Sequence, residues 1–319
     1  MHPDHPQNSG KGKRETNSAQ SANTLPQMRS LPPVMPALIT PFTRTGELDL
    51  EAHRHNVARM WDLGLRGHLI AGSTGEGPYL ESGERRILIA AAREVSPRSF
   101  LLCGIHAETV RSAIAAMHEA GEGGADAALV VTPTTLVRHR PDLIEAFFVE
   151  VTEAAQLPVL LYSVPKVTGV ELAESSVASL SSHPRIVGMK DSGGDPIRSS
   201  RLVRAIPDRF KLYVGATPAI SLSIAGGAHG AITASTNYAP RLVGDTVIAA
   251  RRSLRAAETL QSRLSVLSIA IEGHGIPGVK YAAGRAGLAA GHSRAPLDSP
   301  SPEVKRFVRR VMATAELGD

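Results

Sequence analysis

Gly188-Met189-Lys190-Asp191-Ser192-Gly193-Gly194-Asp195 closes a short apolar run, Ile186-Val187, and the fold is read outward from this stretch. The run reads as a buried strand that ends in Lys190. Small and polar residues follow. Asp195-Pro196 then has the form of a helix start, an aspartate cap with proline at the first helical position. A lysine placed where a buried strand opens into a loop loses hydration of its charged form, and a neutral amine can attack a carbonyl. Taken alone, the octapeptide also fits a lysine that snorkels to solvent or pairs with Asp191.

The same pattern recurs on both sides. Short apolar runs end in small or polar residues at Val34–Thr40, Gly67–Gly72, Phe100–Gly104, Ala127–Thr132, Val159–Ser163, Ile186–Lys190, Leu212–Gly215 and Ala228–Thr233. Each run is continuous rather than alternating, as expected of parallel strands covered on both faces. Helical patterns lie between them: Leu50, Val57, Met60 and Trp61 share a face, as do Val110, Ile114 and Met117, and Leu143, Ile144, Phe147, Phe148 and Val151. Thr217-Pro218 repeats the cap-then-proline start. Eight strands alternating with helices predict a (β/α)8 TIM barrel over residues 31–238. After Asn237 the strands stop. Arg241–Leu267, Pro277–Ala290 and Pro302–Leu317 read as helices, a C-terminal helical extension over 239–319. Residues 1–30, rich in Ser, Asn, Gln, Pro and Lys without periodicity, read as a disordered tail.

Composition narrows the function. The chain has 319 residues, 42% hydrophobic and 20% charged, enough for a large core. Aromatic residues are 4%, which argues against a stacking surface for single-stranded nucleic acid, and the net charge of +5 is modest. The basic balance favours a small acidic substrate, or nothing at all, over nucleic acid, and neither nucleic acid nor membrane is expected among the partners. One cysteine, Cys103, rules out an internal disulfide framework and argues against a cysteine-based zinc site. No apolar run reaches the ~18 residues of a membrane span. With no apolar signal core at the N-terminus, the expected location is cytoplasmic.

In such a barrel the reactive groups sit at the C-terminal ends of the strands. Those ends carry Thr40-Pro41-Phe42, Gly72-Ser73-Thr74-Gly75-Glu76, Gly104-Ile105-His106, Thr132-Pro133, Tyr162-Ser163-Val164-Pro165 and Lys190-Asp191-Ser192. They hold an amine, a phenol and several hydroxyls, but no His and carboxylate cluster at metal-ligand spacing, so neither a metal nor a cofactor is expected. Lys190 and Tyr162 end adjacent strands and are expected to meet over the mouth. A Schiff-base lysine needs such an acid/base beside it. A buried tyrosine bonded to a backbone carbonyl is the alternative for Tyr162. The Gly72–Glu76 turn offers backbone N–H groups and two hydroxyls to a carboxylate, or is simply a tight strand-to-helix turn. No Gly-x-Gly-x-x-Gly follows the first strand, which disfavours a dinucleotide site.

Gly-Ser-Thr-Gly-Glu at 72–76, Tyr-Ser-Val-Pro at 162–165 and the octapeptide at 188–195 resemble the dihydrodipicolinate synthase / N-acetylneuraminate lyase family, from about Pro33 to Leu297. Within it, Leu161–Asp195 is most similar to the 4-hydroxy-2-oxoglutarate aldolase branch. The resemblance implies a class I aldolase barrel, a homotetramer or homodimer, whose partners are a 2-oxo acid such as pyruvate and an aldehyde. It implies Lys190 as the imine lysine and Tyr162 as the proton-transfer residue. Ser73 would stand in the tyrosine's relay and, with Thr74, hold the substrate carboxylate. Ser192 would lie near the substrate, and Ile232 would offer its backbone carbonyl near the lysine.

Two departures stand out. Lys166-Val167 follows Pro165 where synthase members usually place an arginine two residues on, which counts against the synthase reaction. Thr134-Thr135 replaces a tyrosine pair that completes the family's relay. His106 stands where the family usually has a small residue; it is read as a substrate contact or relay replacement, against a solvent-exposed loop histidine. Arg138-His139-Arg140 is either a contact for a distal acidic group or a solvated loop. Glu76 reads as a structural carboxylate bonding loop amides. The expected activity is aldol cleavage or condensation, such as 4-hydroxy-2-oxoglutarate to pyruvate and glyoxylate. The alternatives are a dehydratase or hydratase-aldolase, the synthase reaction, and a non-catalytic 2-oxo acid sensor.

Overall fold

The computed structural model describes residues 29–315. Eight parallel strands alternate with helices in a TIM barrel: β1 (Val34–Pro36), α1 (Leu50–Asp62), β2 (Gly67–Ile70), α2 (Glu84–Val95), β3 (Phe100–Ile105), α3 (Val110–Glu122), β4 (Ala127–Val131), α4 (Pro141–Ala154), β5 (Val159–Ser163), α5 (Pro165–Thr168), α6 (Glu174–Ser181), β6 (Ile186–Asp191), α7 (Pro196–Ala205), β7 (Lys211–Val214), α8 (Ile220–Ala225) and β8 (Gly230–Thr233). The helices α9 (Pro240–Arg252), α10 (Leu254–Glu272), α11 (Gly275–Arg285) and α12 (Pro302–Thr314) follow without a strand between them. Each strand pairs with its neighbour, and β1 pairs with β8. A parallel bridge between Ala37 and Leu69, with Leu38 N–H donating to Leu69 O at 2.9 Å, closes the ring.

The strands are buried on both faces, as their continuous apolar runs predict. Met35, Leu69, Leu102, Leu129, Leu160, Tyr213 and Ile232 fill the barrel interior, while Ile70, Val130, Leu161, Met189 and Leu212 pack outward under the helices. Two apolar layers around one sheet supply most of the driving force, at about 25 cal/mol per Å2 removed from water. Asp195 caps α7 as expected: its side chain accepts from Ile197 N–H at 2.8 Å, and Pro196 occupies the first turn.

The register between β5 and β6 positions the site. Val159 lies opposite Ile186, but Leu160 lies opposite Gly188, so β6 carries one extra residue. This bulge brings Lys190 directly across from Tyr162. Gly188 is required there: a Cβ would come 2.5 Å from the Lys211 carbonyl oxygen.

Several expectations change. The helix expected over Arg241–Leu267 is two helices, because Ser253 is extended and caps α10 through Ala256 N–H at 3.1 Å. Thr217 does not cap α8; its hydroxyl turns instead to Ser235 and Glu272. Leu143, placed on the apolar face of α4, is 41% exposed. The short helices α5 and α6 were not expected. Residues 1–28 of the expected tail lie outside the described residues; Arg29 is docked, donating to Pro97 O and Ser99 O at 2.9 and 3.0 Å. No described helix is long and apolar enough to cross a membrane.

Candidate active site

Lys190 and Tyr162 meet at the C-terminal end of the barrel. Both are buried, and Lys190 Nζ donates to the Tyr162 hydroxyl oxygen at 3.3 Å. Lys190 Nζ also lies 4.5 Å from the Tyr162 ring centroid. Asp191 is not its partner. That carboxylate pairs with the buried Arg198 guanidinium at 2.9 Å and accepts from Gly193 N–H, which holds the loop after β6 in place. Among the described residues Lys190 has no carboxylate partner.

Tyr162 is the centre of a hydrogen-bonded cluster. Ser73 Oγ lies 3.4 Å from its hydroxyl and 3.3 Å from His106 Nε2. Burial opposes ionisation of Tyr162, but the Lys190 charge and the hydrogen bonds with Ser73 and Lys190 outweigh it, and the phenol sits below its ordinary pKa. Space at this point is tight. A Cβ on Gly215 would come 1.9 Å from Ser192 Oγ and 2.9 Å from Lys190 Cε, so the residue that follows β7 must be glycine.

The loop after β2 is strained. Ala71 and Glu76 both adopt left-handed φ values of 57°, which costs non-glycine residues about 1 kcal/mol each. Glu76 N–H bonds Ser73 O and Gly77 N–H bonds Gly72 O, closing a compact turn. The Ser73 and Thr74 N–H groups donate to no acceptor among the described residues, the condition of an anion-binding turn. Thr74 is buried but stands outside the Tyr162 cluster.

Not every expected site residue joins. Ile232 lies on β8 with its side chain inside the barrel, and no hydrogen bond links it to Lys190 among the described residues. His106 is half-buried rather than a solvent-exposed loop residue: its Nδ1 is shut from solvent, and burial, with the charges of Arg85 and Lys190, lowers its pKa to about 3. Glu76 does not bond the amides of its own loop; it accepts from Arg294 N–H at 2.8 Å and forms a close ion pair with Lys280 of α11. Arg140 turns outward to Asp142 at 2.9 and 2.6 Å, so the basic run is a solvated loop at that residue. The amides of Thr134 and Thr135 are held by Glu108 at 2.9 and 2.8 Å.

A family model described as the dihydrodipicolinate synthetase family matches residues 30–315. The chain belongs to the dihydrodipicolinate synthetase family. 4-hydroxy-tetrahydrodipicolinate synthase 1 of Streptomyces coelicolor is 34% identical over 280 residues, covering 84% of this chain and 88% of that protein. The 4-hydroxy-tetrahydrodipicolinate synthase of Xanthomonas axonopodis pv. citri is 37% identical over 266 residues, covering 82% and 87%. The chloride-inhibited dihydrodipicolinate synthase of Acinetobacter baumannii, solved in complex with pyruvate, superposes with a TM-score of 0.86 at 27% identity, covering 91% of this chain and 100% of that one.

In this member of the dihydrodipicolinate synthetase family, sequence reasoning missed Glu272. At the end of α10, it accepts from Tyr238 OH at 3.0 Å and Thr217 Oγ1 at 3.2 Å. Burial raises its pKa, against those two hydrogen bonds and the charges of Lys166 and Lys190. It thus brings a carboxyl of the extension within electrostatic reach of Lys190. Its partners lie 34 and 55 residues away in sequence, so no local motif marks it.

Proposed function

We propose that the chain is a class I aldolase in which Lys190 forms a Schiff base with pyruvate or another 2-oxo acid. The observation that carries this reading is the Lys190 Nζ to Tyr162 OH approach of 3.3 Å inside a buried cluster. The neutral amine adds to the C2 carbonyl, and the carbinolamine loses water with a proton from Tyr162. The protonated imine is an electron sink. When Tyr162 takes the proton of the C4 hydroxyl, the C3–C4 pair flows into the imine, an aldehyde leaves, and an enamine remains. Protonation at C3 and hydrolysis release pyruvate and regenerate Lys190. Condensation is the reverse. The Ser73 and Thr74 amides would receive the substrate carboxylate, and Ser192 would contact the substrate beside Tyr162. No organic cofactor or metal enters this scheme.

Within this class we favour aldol cleavage or condensation with a short aldehyde, as for 4-hydroxy-2-oxoglutarate, pyruvate and glyoxylate. Val167 counts against the synthase reaction: the position is apolar and 65% exposed where the family resemblance leads one to expect an arginine. The synthase reaction is the second reading, favoured by the names of the relatives. The assembly we infer is a homotetramer or homodimer, readable from its mass in solution.

The deciding experiment is borohydride reduction in the presence of pyruvate, with the adduct mapped by mass. An adduct on Lys190 that disappears in Lys190→Ala is the expected result; no adduct, or a fully active Lys190→Ala, removes the proposal. Products formed from pyruvate and a panel of aldehydes then separate the two readings.

A further inference from the structure

We infer that His106 donates its Nε2–H to Ser73 and thereby sets the direction of the hydrogen-bond chain that ends on the Tyr162 oxygen. It is a positioning residue for the proton that Tyr162 exchanges with Lys190. The inference rests on the reading of Lys190 as the imine lysine and deepens it.

Ser73 Oγ stands between two groups, 3.3 Å from His106 Nε2 and 3.4 Å from Tyr162 OH. A hydroxyl has one hydrogen to give. If Nε2 were a bare lone pair, Ser73 would donate to it. Tyr162 would then have to donate to Ser73, and its proton would point away from Lys190. If Nε2 carries the hydrogen, Ser73 is free to donate to Tyr162. The phenol oxygen then accepts from Ser73 and from Lys190 together.

The surroundings of the ring select the second arrangement. His106 Nδ1 is buried with no hydrogen-bond partner. It packs on Gly77, where a Cβ would come 2.8 Å from it. A hydrogen on Nδ1 would therefore be an orphaned N–H, the rarer defect in folded proteins. The Gly77 carbonyl already accepts from the buried Arg85 guanidinium at 2.9 Å. Two cations face the ring, Arg85 from α2 and Lys190 from β6, and with burial they keep it neutral. A cation also favours a lone pair over an N–H at the unpartnered nitrogen. The phenol's lowered pKa agrees with an oxygen that mainly accepts.

The chemistry follows. With the proton that the two groups share on the Tyr162 oxygen, the lone pair on Nζ attacks C2; the carbonyl π pair moves to oxygen, which takes a proton from the attacking nitrogen to give the carbinolamine. Tyr162 then gives its proton to the carbinolamine hydroxyl, which leaves as water, and the phenolate and protonated imine remain. Ser73, held by His106, keeps its hydrogen on the Tyr162 oxygen throughout.

The test uses the full chain. Nitrogen-15 spectra of the histidine rings are expected to show His106 as the Nε2–H tautomer, unchanged down to about pH 5. His106→Phe, which fills the space without a donor, is expected to lower kcat by roughly 10- to 100-fold, with a borohydride adduct at Lys190 that forms more slowly but still to completion. The limb of the pH profile belonging to Tyr162 should move to higher pH in that variant. His106→Gln, whose amide nitrogen reaches the same place, should restore most of both. An Nδ1–H or doubly protonated ring, wild-type kcat in His106→Phe, or His106→Gln as impaired as His106→Phe would each overturn the inference. Failure of the wild type to trap pyruvate would instead show that the underlying imine reading is wrong, and the inference falls with it.

Discussion

Lys280, on helix α11 of the C-terminal extension, forms a buried ion pair with Glu76, which belongs to the turn after β2. The same carboxylate accepts from Arg294 N–H, and the Arg294 guanidinium reaches Gly46 O and Glu84. The extension therefore clamps the turn that presents Ser73 and Thr74. It also holds Glu76 in its left-handed conformation. Breaking one partner of a buried pair strands the other charge, which costs roughly 3–5 kcal/mol. Lys280→Met is expected to lower the unfolding free energy in urea by that order and to weaken pyruvate binding. Glu76→Gln paired with Lys280→Met should recover part of the stability. A double variant no more stable than Lys280→Met would argue against the pair as the cause.

Tyr162→Phe removes the proposed proton carrier and leaves Lys190 in place. Losing a positioned acid/base is worth about 10²–10⁴-fold in rate. A fall of that size in kcat is expected, with a slower but still complete borohydride adduct at Lys190. Stopped-flow turnover and adduct formation separate the two effects. An adduct rate equal to wild type would assign the proton transfers to another group.

Gly215→Ala tests the fit between β7 and the site. The new methyl would overlap Ser192 Oγ at 1.9 Å and press on Lys190 Cε at 2.9 Å. Overpacking costs about 1–3 kcal/mol, which a barrel of this size survives. Displacing the amine by a fraction of an ångström is expected to cost about 100-fold in kcat/KM. Circular dichroism and the melting temperature should change little beside that loss.

Acid sensitivity follows from two histidines outside the site. Burial, partly offset by the Leu88 carbonyl and aided by Arg54, lowers the pKa of His53 to about 4; burial and His53 lower that of His68 to about 3. In the unfolded chain both bind protons near 6.5. Between 6.5 and those lowered values the unfolded state carries more protons, so stability falls as the pH is lowered through that window. Urea unfolding at a series of pH values should show the decline. In His68→Gln it should be shallower, and equal slopes in the two proteins would locate the acid response elsewhere.

The barrel was legible in the residues themselves, and the family resemblance of three short motifs singled out Lys190 and Tyr162 as the candidate pair. Continuous apolar runs and 3.6-residue periods are local properties, and they report strand and helix before any packing is known. The ends of those runs expose Lys190, Tyr162 and Ser73 for the same reason. The break at Ser253 was hidden because an apolar pattern continues across it, and only the extended backbone at that residue interrupts the helix.

What the tertiary structure alone decided is which of these groups touch. Without the extra residue in β6, Tyr162 would lie opposite Met189, and Lys190 would fall one place out of register. A shift of one residue turns every side chain of a strand to the other face. The pairing of the amine with the phenol thus depends on a bulge that no residue type announces. The same holds for His106 on Ser73, Glu272 near Lys190 and Lys280 on Glu76. Each joins segments distant along the chain. Charge and hydrogen bonding act through space, and only the closed ring and the helices folded against it set those distances.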